Sequence, residues 1–320
     1  MKDKKLTIVE YIIEITLIII LSLMYYLNQH IKTPTVIYVK QGSINQIISQ
    51  MEKKHYDTNK LDSFLLRLIG SPQHGWINLK TDINTKADFL YKLTTAKAAL
   101  VDITLIPGET TYIFLNQLSN KLKLDRNMLQ KQYDKKSIIE EGNLVPNTYK
   151  VPIGITEEEI ITLLLNTSLN KMKAFSYKIF GTYNKTKWFK YVSIASIIQK
   201  ESANEQEMPL ISSVIYNRIK KHMKLQMDGT LNYGKYSHIK ITSKRIKKDK
   251  SIYNTYIYYG VPSIPVCNVS FKALKAAIFP AKTKYLYFMK SKNGTHDFAC
   301  NYSTHLRNIR HATKRNRATK

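Results

Sequence analysis

The chain has 320 residues, room for two domains and an anchor, and 43 % of them are hydrophobic, which excludes wholesale disorder. Lys and Arg number 50 against 23 Asp and Glu, a net charge of +27 at pH 7, so the surface attracts polyanions in general, whether nucleic acid, anionic lipid or a carboxylate-bearing polymer. Two cysteines, Cys267 and Cys300, support neither a disulfide framework nor a zinc site, and both read as small buried apolar residues.

Residues 1–5, with Lys2, Lys4 and Lys5, precede an apolar run at 6–27. A helix needs roughly 20 apolar residues to cross a bilayer, and this run has the length. Glu10 and Glu14 interrupt its first third at i and i+4, and are read as lying at headgroup level or snorkelling there. Tyr25 and Tyr26 suit an interfacial belt, and the lysines favour a cytoplasmic N-terminus. No small-residue cleavage site follows. The expectation is therefore a cytoplasmic tail at 1–5, a single-pass signal anchor at 6–27 in the inner (cytoplasmic) membrane, a linker at 28–35 around Pro34, and a periplasmic remainder. Export removes intracellular nucleic acid as a partner.

From Val36 a β-branched run, a Gly turn at Gly42 and apolar Ile44, Ile47, Ile48 and Met51 spell strand then helix. Trp76–Lys80 and a helical stripe at Phe89, Leu90 and Leu93 follow, and a small strand–helix–helix–strand unit is predicted to end near residue 100. Val101–Ile106 reads as a strand closed by the Pro107-Gly108 turn, and helical text runs from Thr111 to about Leu129. Glu140–Tyr149 is turn-rich, with Pro146 pushing its predecessor to extended geometry. Thr156 followed by three glutamates marks a helix start, predicted to run to about Phe175. The basic run Lys240–Lys250 reads as a solvated face, with anionic lipid as its alternative.

From Ile161 to Lys320 the carboxylates are Glu201, Glu205, Glu207, Asp228, Asp249 and Asp297, so acid–base chemistry in that half must draw on them. Ile194, Ile197 and Ile198 form an apolar stripe that Glu201 completes at i+7. A carboxyl on such a face is partly desolvated, which raises its pKa and suits a general acid near neutrality. The competing reading is a carboxylate at the wet end of a stripe. Glu205 and Glu207 precede Pro209 at the start of the next helix and read as structural complements of its dipole. Leu225–Gly234 alternates apolar Leu225 and Met227 with Gln226 and Asp228, like a strand.

Several spaced phrases carry a family resemblance. Ser193–Ser202, Val214–Arg218 and Leu225–Thr230 closely resemble the signature of the MltG (YceG-like) endolytic transglycosylases, as do Tyr253–Tyr256, Gly260–Pro262, Ile264–Asn268, Ala276–Phe288 and His305–Asn308. Glu141–Tyr149 resembles the family's E-G-x-L-x-P-x-T-Y loop, while Pro107-Gly-Glu departs from the usual P-E-G order. Tyr38–Ile44 resembles the opening of a LysM repeat, a small glycan-binding module.

The resemblance implies an α+β protein: an N-terminal transmembrane helix, a small LysM-like βααβ subdomain at 36–100 and a mixed α/β catalytic domain at 101–316. It implies a lyase that cuts the β-1,4 bond between N-acetylmuramic acid and N-acetylglucosamine with one glutamate, falling on Glu201, and leaves 1,6-anhydro ends that terminate glycan elongation. No metal or cofactor is implied. Peptidoglycan strands are the implied partner, with peptidoglycan synthases as further candidates. By family position, the substrate groove is assigned Asn217, Arg218, Gln226, Asp228, Tyr233, Tyr253, Asn254, Thr255 and Tyr256; for each the alternative is local structure. Two rivals stay open: a muramidase pairing Glu201 with Asp228, and a non-catalytic glycan-binding anchor.

Overall fold

The computed structural model describes residues 2–291 and 293–317, with the side chains of 2–6 and 313–317 not described. The side chains of the basic tail lysines Lys2, Lys4 and Lys5, on which the cytoplasmic reading rests, thus lie outside what is described. Mixed helix and sheet make up two compact units: Met1–Val101 with Lys150–Gly154, and Asp102–Tyr149 with Ile155–Lys320.

The first unit opens with α1 (Lys2–Asn28). Its Thr7–Asn28 portion, 22 residues at mean hydropathy 2.1, is long and apolar enough to cross a membrane. The expected linker is partly structured: β1 (His30–Lys32) pairs with β4 (Ile83–Thr85), because the alternating His-Ile-Lys buries Ile31 and leaves its neighbours outside. Between them run β2 (Val36–Val39), α2 (Ile44–Lys53), α3 (Lys60–Ile69) and β3 (Gly75–Asn78). β2 and β3 pair antiparallel from Val36↔Asn78 to Val39↔Gly75. The order strand–helix–helix–strand is thus present, but its second helix is α3; the stripe at Phe89–Leu93 belongs to α4 (Lys86–Thr95), outside that motif. Capping boxes fix both helix starts, Ser43 with Gln46 and Asn59 with Asp62. Ile37, Val39, Ile48, Met51, Leu66, Ile77, Phe89 and Leu90 form the core, against which Leu23, Tyr26 and Leu27 of α1 pack. The returning segment at 150–154 belongs to this unit, unlike the unbroken 101–316 domain read from sequence: a Cβ on Gly154, at φ +79°, would lie 2.6 Å from the Trp76 ring.

β5 (Leu100–Leu105) and β6 (Asn147–Pro152) carry the chain between the units. In the second unit the single helix expected at 111–129 is two, α5 (Thr111–Leu122) and α6 (Arg126–Lys136). Lys123 turns left-handed at φ +56° and Asp125 caps the new helix by accepting from the Met128 N–H, so the chain breaks where the apolar stripe gives out. α7 (Glu157–Phe180) extends a turn past the expected end and stops at Gly181, which takes the left-handed cap at φ +68°. α8 (Lys185–Glu201) is buried along Val192–Ile198 and packs against α9 (Met208–Lys220) and α11 (Phe271–Ile278), with α10 (Ser243–Lys248) between those two in sequence. Ala273, Ala276 and Ala277 on α11 leave room for close approach to α8. The hairpin β7 (Tyr287–Lys290) and β8 (His296–Ala299) and the helix α12 (Tyr302–Arg317) finish the chain. Cys267 is buried as expected; Cys300 is exposed, because it follows the outward end of β8, and both thiols are free.

Candidate active site

Glu201 is the last residue of α8. Ile197 and Ile198 are fully buried and Ile194 nearly so, which delivers the carboxyl, part-buried, into a cleft of about 490 Å³. Lys200, Ser202, Ala203, Arg218, Gln226, Asp228, Tyr256, Phe288, Met289, Lys290 and His296 help line that cleft. Glu201 Oε1 accepts the Gly229 N–H at 2.7 Å. Burial pushes the Glu201 carboxyl up to about 7; the Gly229 hydrogen bond opposes the rise and the negative Asp228 adds to it. The group is therefore near half-protonated at neutral pH, the condition a general acid needs.

The Leu225–Asp228 segment is extended but unpaired, not a strand. Gln226 sits left-handed at φ +52°, which breaks the pleat, and the segment ends in a tight 3-10 turn at Asp228–Leu231. The expected alternation survives: Leu225 and Met227 are buried, Gln226 and Asp228 are exposed to the cleft. The Gln226 N–H donates to Thr255 O at 3.1 Å and the Met227 N–H to Thr255 Oγ1 at 3.0 Å. Tyr256 donates its hydroxyl to Asp228 Oδ1 at 2.6 Å. Burial first, then Asp228, holds the Tyr256 hydroxyl well above the usual tyrosine range.

Arg218, Gln226, Asp228 and Tyr256 thus reach the cleft with Glu201, and the other sequence candidates do not. Asn217 spends its amide on Thr283 O at 3.0 Å and Tyr285 O at 2.9 Å, tying α9 to the strand that follows. Asn254 is fully buried, donating to Ile246 O and Asp249 O, and Thr255 is 1 % exposed. Tyr233 and Tyr253 stack on one another at 4.3 Å, and Tyr233 donates to Asp249 Oδ2 at 3.2 Å. Of these side chains Thr255 braces the segment that carries Gln226 and Asp228, through the Met227 N–H. Arg218 is also largely committed, donating to Leu286 O at 2.6 Å and Leu225 O at 2.8 Å.

The sequence reading missed the cleft's other wall. Phe288, Met289, Lys290 and His296 come from the β7–β8 hairpin, and Glu207 holds it there by accepting from the His296 N–H at 2.6 Å and pairing with its ring at 2.8 Å. Glu207 is structural, as expected, but it acts on this hairpin; its side chain makes no cap bond to α9. Burial works to raise the Glu207 carboxyl, and the His296 bonds outweigh it, leaving it below the usual range. Glu205 pairs with Lys272, and Asp249 with Tyr233 and Arg245. Of the carboxylates after Ile161, Glu201 and Asp228 are those that line the cleft.

In the second unit Glu109 and Glu141 are also buried and lie outside the cleft lining. Glu109, from the inverted Pro-Gly-Glu turn, accepts from Ser237 at 2.9 Å and pairs with His238 at 2.8 Å. Glu141 accepts the Thr111 N–H at 2.9 Å at the start of α5, together with the Thr111 hydroxyl and Gly142 N–H. Burial pushes Glu141, like Glu201, up to about 7. A raised pKa alone therefore does not distinguish Glu201 from Glu141; Glu201 lines the cleft and Glu141 does not. Among the described residues no cluster of His, Cys, Asp and Glu could hold a metal ion.

Comparison with known proteins gives concordant results. The chain is 35 % identical over 156 residues to the endolytic murein transglycosylase of Bacillus subtilis, covering 48 % of this chain and 42 % of that protein. It is 30 % identical over 175 residues to the endolytic murein transglycosylase of Streptococcus pneumoniae, covering 53 % of this chain and 31 % of that one. The matched stretches thus span less than half of either relative. The crystal structure of a yceG-like protein from Listeria monocytogenes superposes with a TM-score of 0.57 at 25 % identity, covering 86 % of this chain and 99 % of that one. The model of the YceG-like family matches residues 37–311, most of the chain, and this chain belongs to the YceG-like family.

Proposed function

We propose that this chain is an endolytic murein transglycosylase that cuts the β-1,4 bond between N-acetylmuramic acid and N-acetylglucosamine and ends glycan strands in 1,6-anhydromuramic acid. The observation that carries the reading is Glu201: a cleft-facing carboxyl desolvated to about 7, with a backbone N–H on one oxygen. The oxygen that Gly229 does not hold delivers the proton to the leaving glycosidic oxygen as the C1–O bond breaks. The resulting carboxylate takes the proton of the muramic C6 hydroxyl as O6 bonds to C1. Glu201 ends protonated, as it began, and water is not consumed. Asp228 faces the oxocarbenium-like centre while Tyr256 fixes its orientation. Lys200, Arg218 and Lys290 suit a glycan that bears carboxylates.

Asp228 in the same cleft also suits the rival muramidase reading, in which a second carboxylate activates water. Mass analysis of muropeptides released by the purified full chain separates the two: anhydro ends support the transglycosylase, ordinary reducing ends sink it.

The finer readings belong to the same proposal. The unit at 36–100 is a LysM-like glycan-engaging module; Tyr38 and Trp76, ring centroids 5.4 Å apart and both exposed, support it. Loss of Tyr38 and Trp76 with no change in sedimentation on insoluble peptidoglycan would count against it. The α1 helix is a single-pass anchor with the remainder outside the cytoplasmic membrane, where peptidoglycan synthases are its candidate partners. A C-terminal reporter active only in the cytoplasm would reverse that orientation.

A further inference from the structure

Helix α3 is apolar on two faces. Leu65 and Leu66 face the core of the first unit, whereas Leu61, Phe64 and Leu68, at i, i+3 and i+7, form an outward stripe with Ile69 beside it. Phe64 is 56 % exposed and Leu68 71 %. Its single acid, Asp62, is turned inward, while Lys60 and Arg67 are exposed. Ten residues make a helix about 15 Å long with basic ends and a bare apolar stripe.

The inward Asp62 says what lies nearby. Its Oδ1 accepts the hydroxyl of Tyr26 at 2.8 Å, and Tyr26 stands in the last turn of the apolar span Thr7–Asn28. Lys86 of α4, 2 % exposed, donates to the same hydroxyl at 2.9 Å and sits 3.6 Å from both Asp57 and Asp62. A buried network of this kind keeps its geometry, since breaking it would strand a charge without its partner. Leu23 and Leu27 pack on the same core. The end of α1 and the helix α3 are therefore parts of one compact unit, and α3 is held at the C-terminal end of the apolar span.

We propose that the Leu61–Phe64–Leu68–Ile69 face of α3 lies in the membrane interface, sunk to the boundary between headgroups and acyl chains, with Lys60 and Arg67 on anionic lipid phosphates. The inference rests on the anchor reading of α1. The bilayer is its occupant because α3 is bonded through Asp62 to the last turn of the apolar helix that spans it, and because the flanking charges are of the sign that anionic lipid takes up. The consequence is that the first unit is fixed on the membrane surface by two elements and does not swing on a tether.

The test reconstitutes the full chain in vesicles of phosphatidylethanolamine and phosphatidylglycerol, with and without acyl-chain bromine on the former. Three variants are compared with the parent chain, whose Trp76 and Trp188 supply the background. Phe64→Trp reports on α3, Leu21→Trp on the span, and Tyr177→Trp on an exposed site of α7 in the second unit. The expected result is loss of the added emission on bromination for Phe64→Trp and Leu21→Trp, with none for Tyr177→Trp. Shallow bromines should quench Phe64→Trp more than deep ones, since interfacial helices sink only about 5–10 Å. If Leu21→Trp is quenched and Phe64→Trp is not, the proposal is overturned while the anchor stands, whether water, a second copy or another protein covers α3. If neither is quenched, the anchor reading fails and takes the proposal with it.

Discussion

Glu201→Gln is the most exposing perturbation of the active-site reading. The amide keeps the size of the side chain and an oxygen for the Gly229 N–H, so the 2.7 Å contact and the end of α8 should survive. It can neither donate the proton nor take one back. General acid–base catalysis contributes about 10² to 10⁴ in rate, or about 3 to 5 kcal/mol of barrier at 1.36 kcal/mol per tenfold. The variant should therefore retain glycan binding and lose turnover by that factor, measured as anhydromuropeptide release per hour. The wild type should also show an alkaline limb in kcat/KM near pH 7, because only the protonated carboxyl starts the reaction. Stability carries the same signature. The folded-state pKa is raised above the ordinary 4.5, so the protonated group's contribution is fully present below that value and is lost as pH rises through about 7. Glu201→Gln should remove that part of the loss, leaving the variant more stable than wild type at pH 8 relative to pH 4 in thermal melts. Near wild-type turnover in a folded variant, or an unchanged alkaline limb, would refute the assignment.

Gly229→Ala places a Cβ 2.8 Å from that of Lys200 and 2.9 Å from Glu201 Oε1, so the turn and the carboxylate must part. Losing a hydrogen bond to a charged group is worth about 1.5–3 kcal/mol, and a roughly 10- to 100-fold drop in kcat is expected with the fold retained by circular dichroism. Asp228→Asn removes a negative charge that helps hold Glu201 up, so the alkaline limb of the pH–rate profile should move to lower pH, with a smaller rate loss than Glu201→Gln causes. Lys86→Met leaves the buried Asp62 without its cation and should cost about 3–5 kcal/mol of first-unit stability, read from urea unfolding of the full chain in detergent.

Local information carried the apolar span, the helix start at Thr156 and the buried face that ends at Glu201. The span follows from composition, the Thr156 capping box from residues three apart, and the burial of the helix face that ends at Glu201 from one stripe, whereas the role proposed for Glu201 comes from the family resemblance. The alternation of Gln226 and Asp228 with buried neighbours was legible too, although the left-handed Gln226 made a loop where a strand was expected. Which candidates reach the cleft was not legible. Asn217, Tyr233, Tyr253, Asn254 and Thr255 look as able to bind a sugar as Tyr256 does, and only their three-dimensional partners show that their polar groups or ring faces are already engaged. The hairpin wall was invisible for a related reason: His296 reaches the cleft because Glu207, 89 residues earlier, accepts its N–H, and no local pattern encodes so distant a pairing. The same limit hid the tie between Tyr26, Asp62 and Lys86. Periodicity reports which face of an element is buried, because burial repeats with the helix or strand; which buried polar atoms meet is decided only when the elements pack.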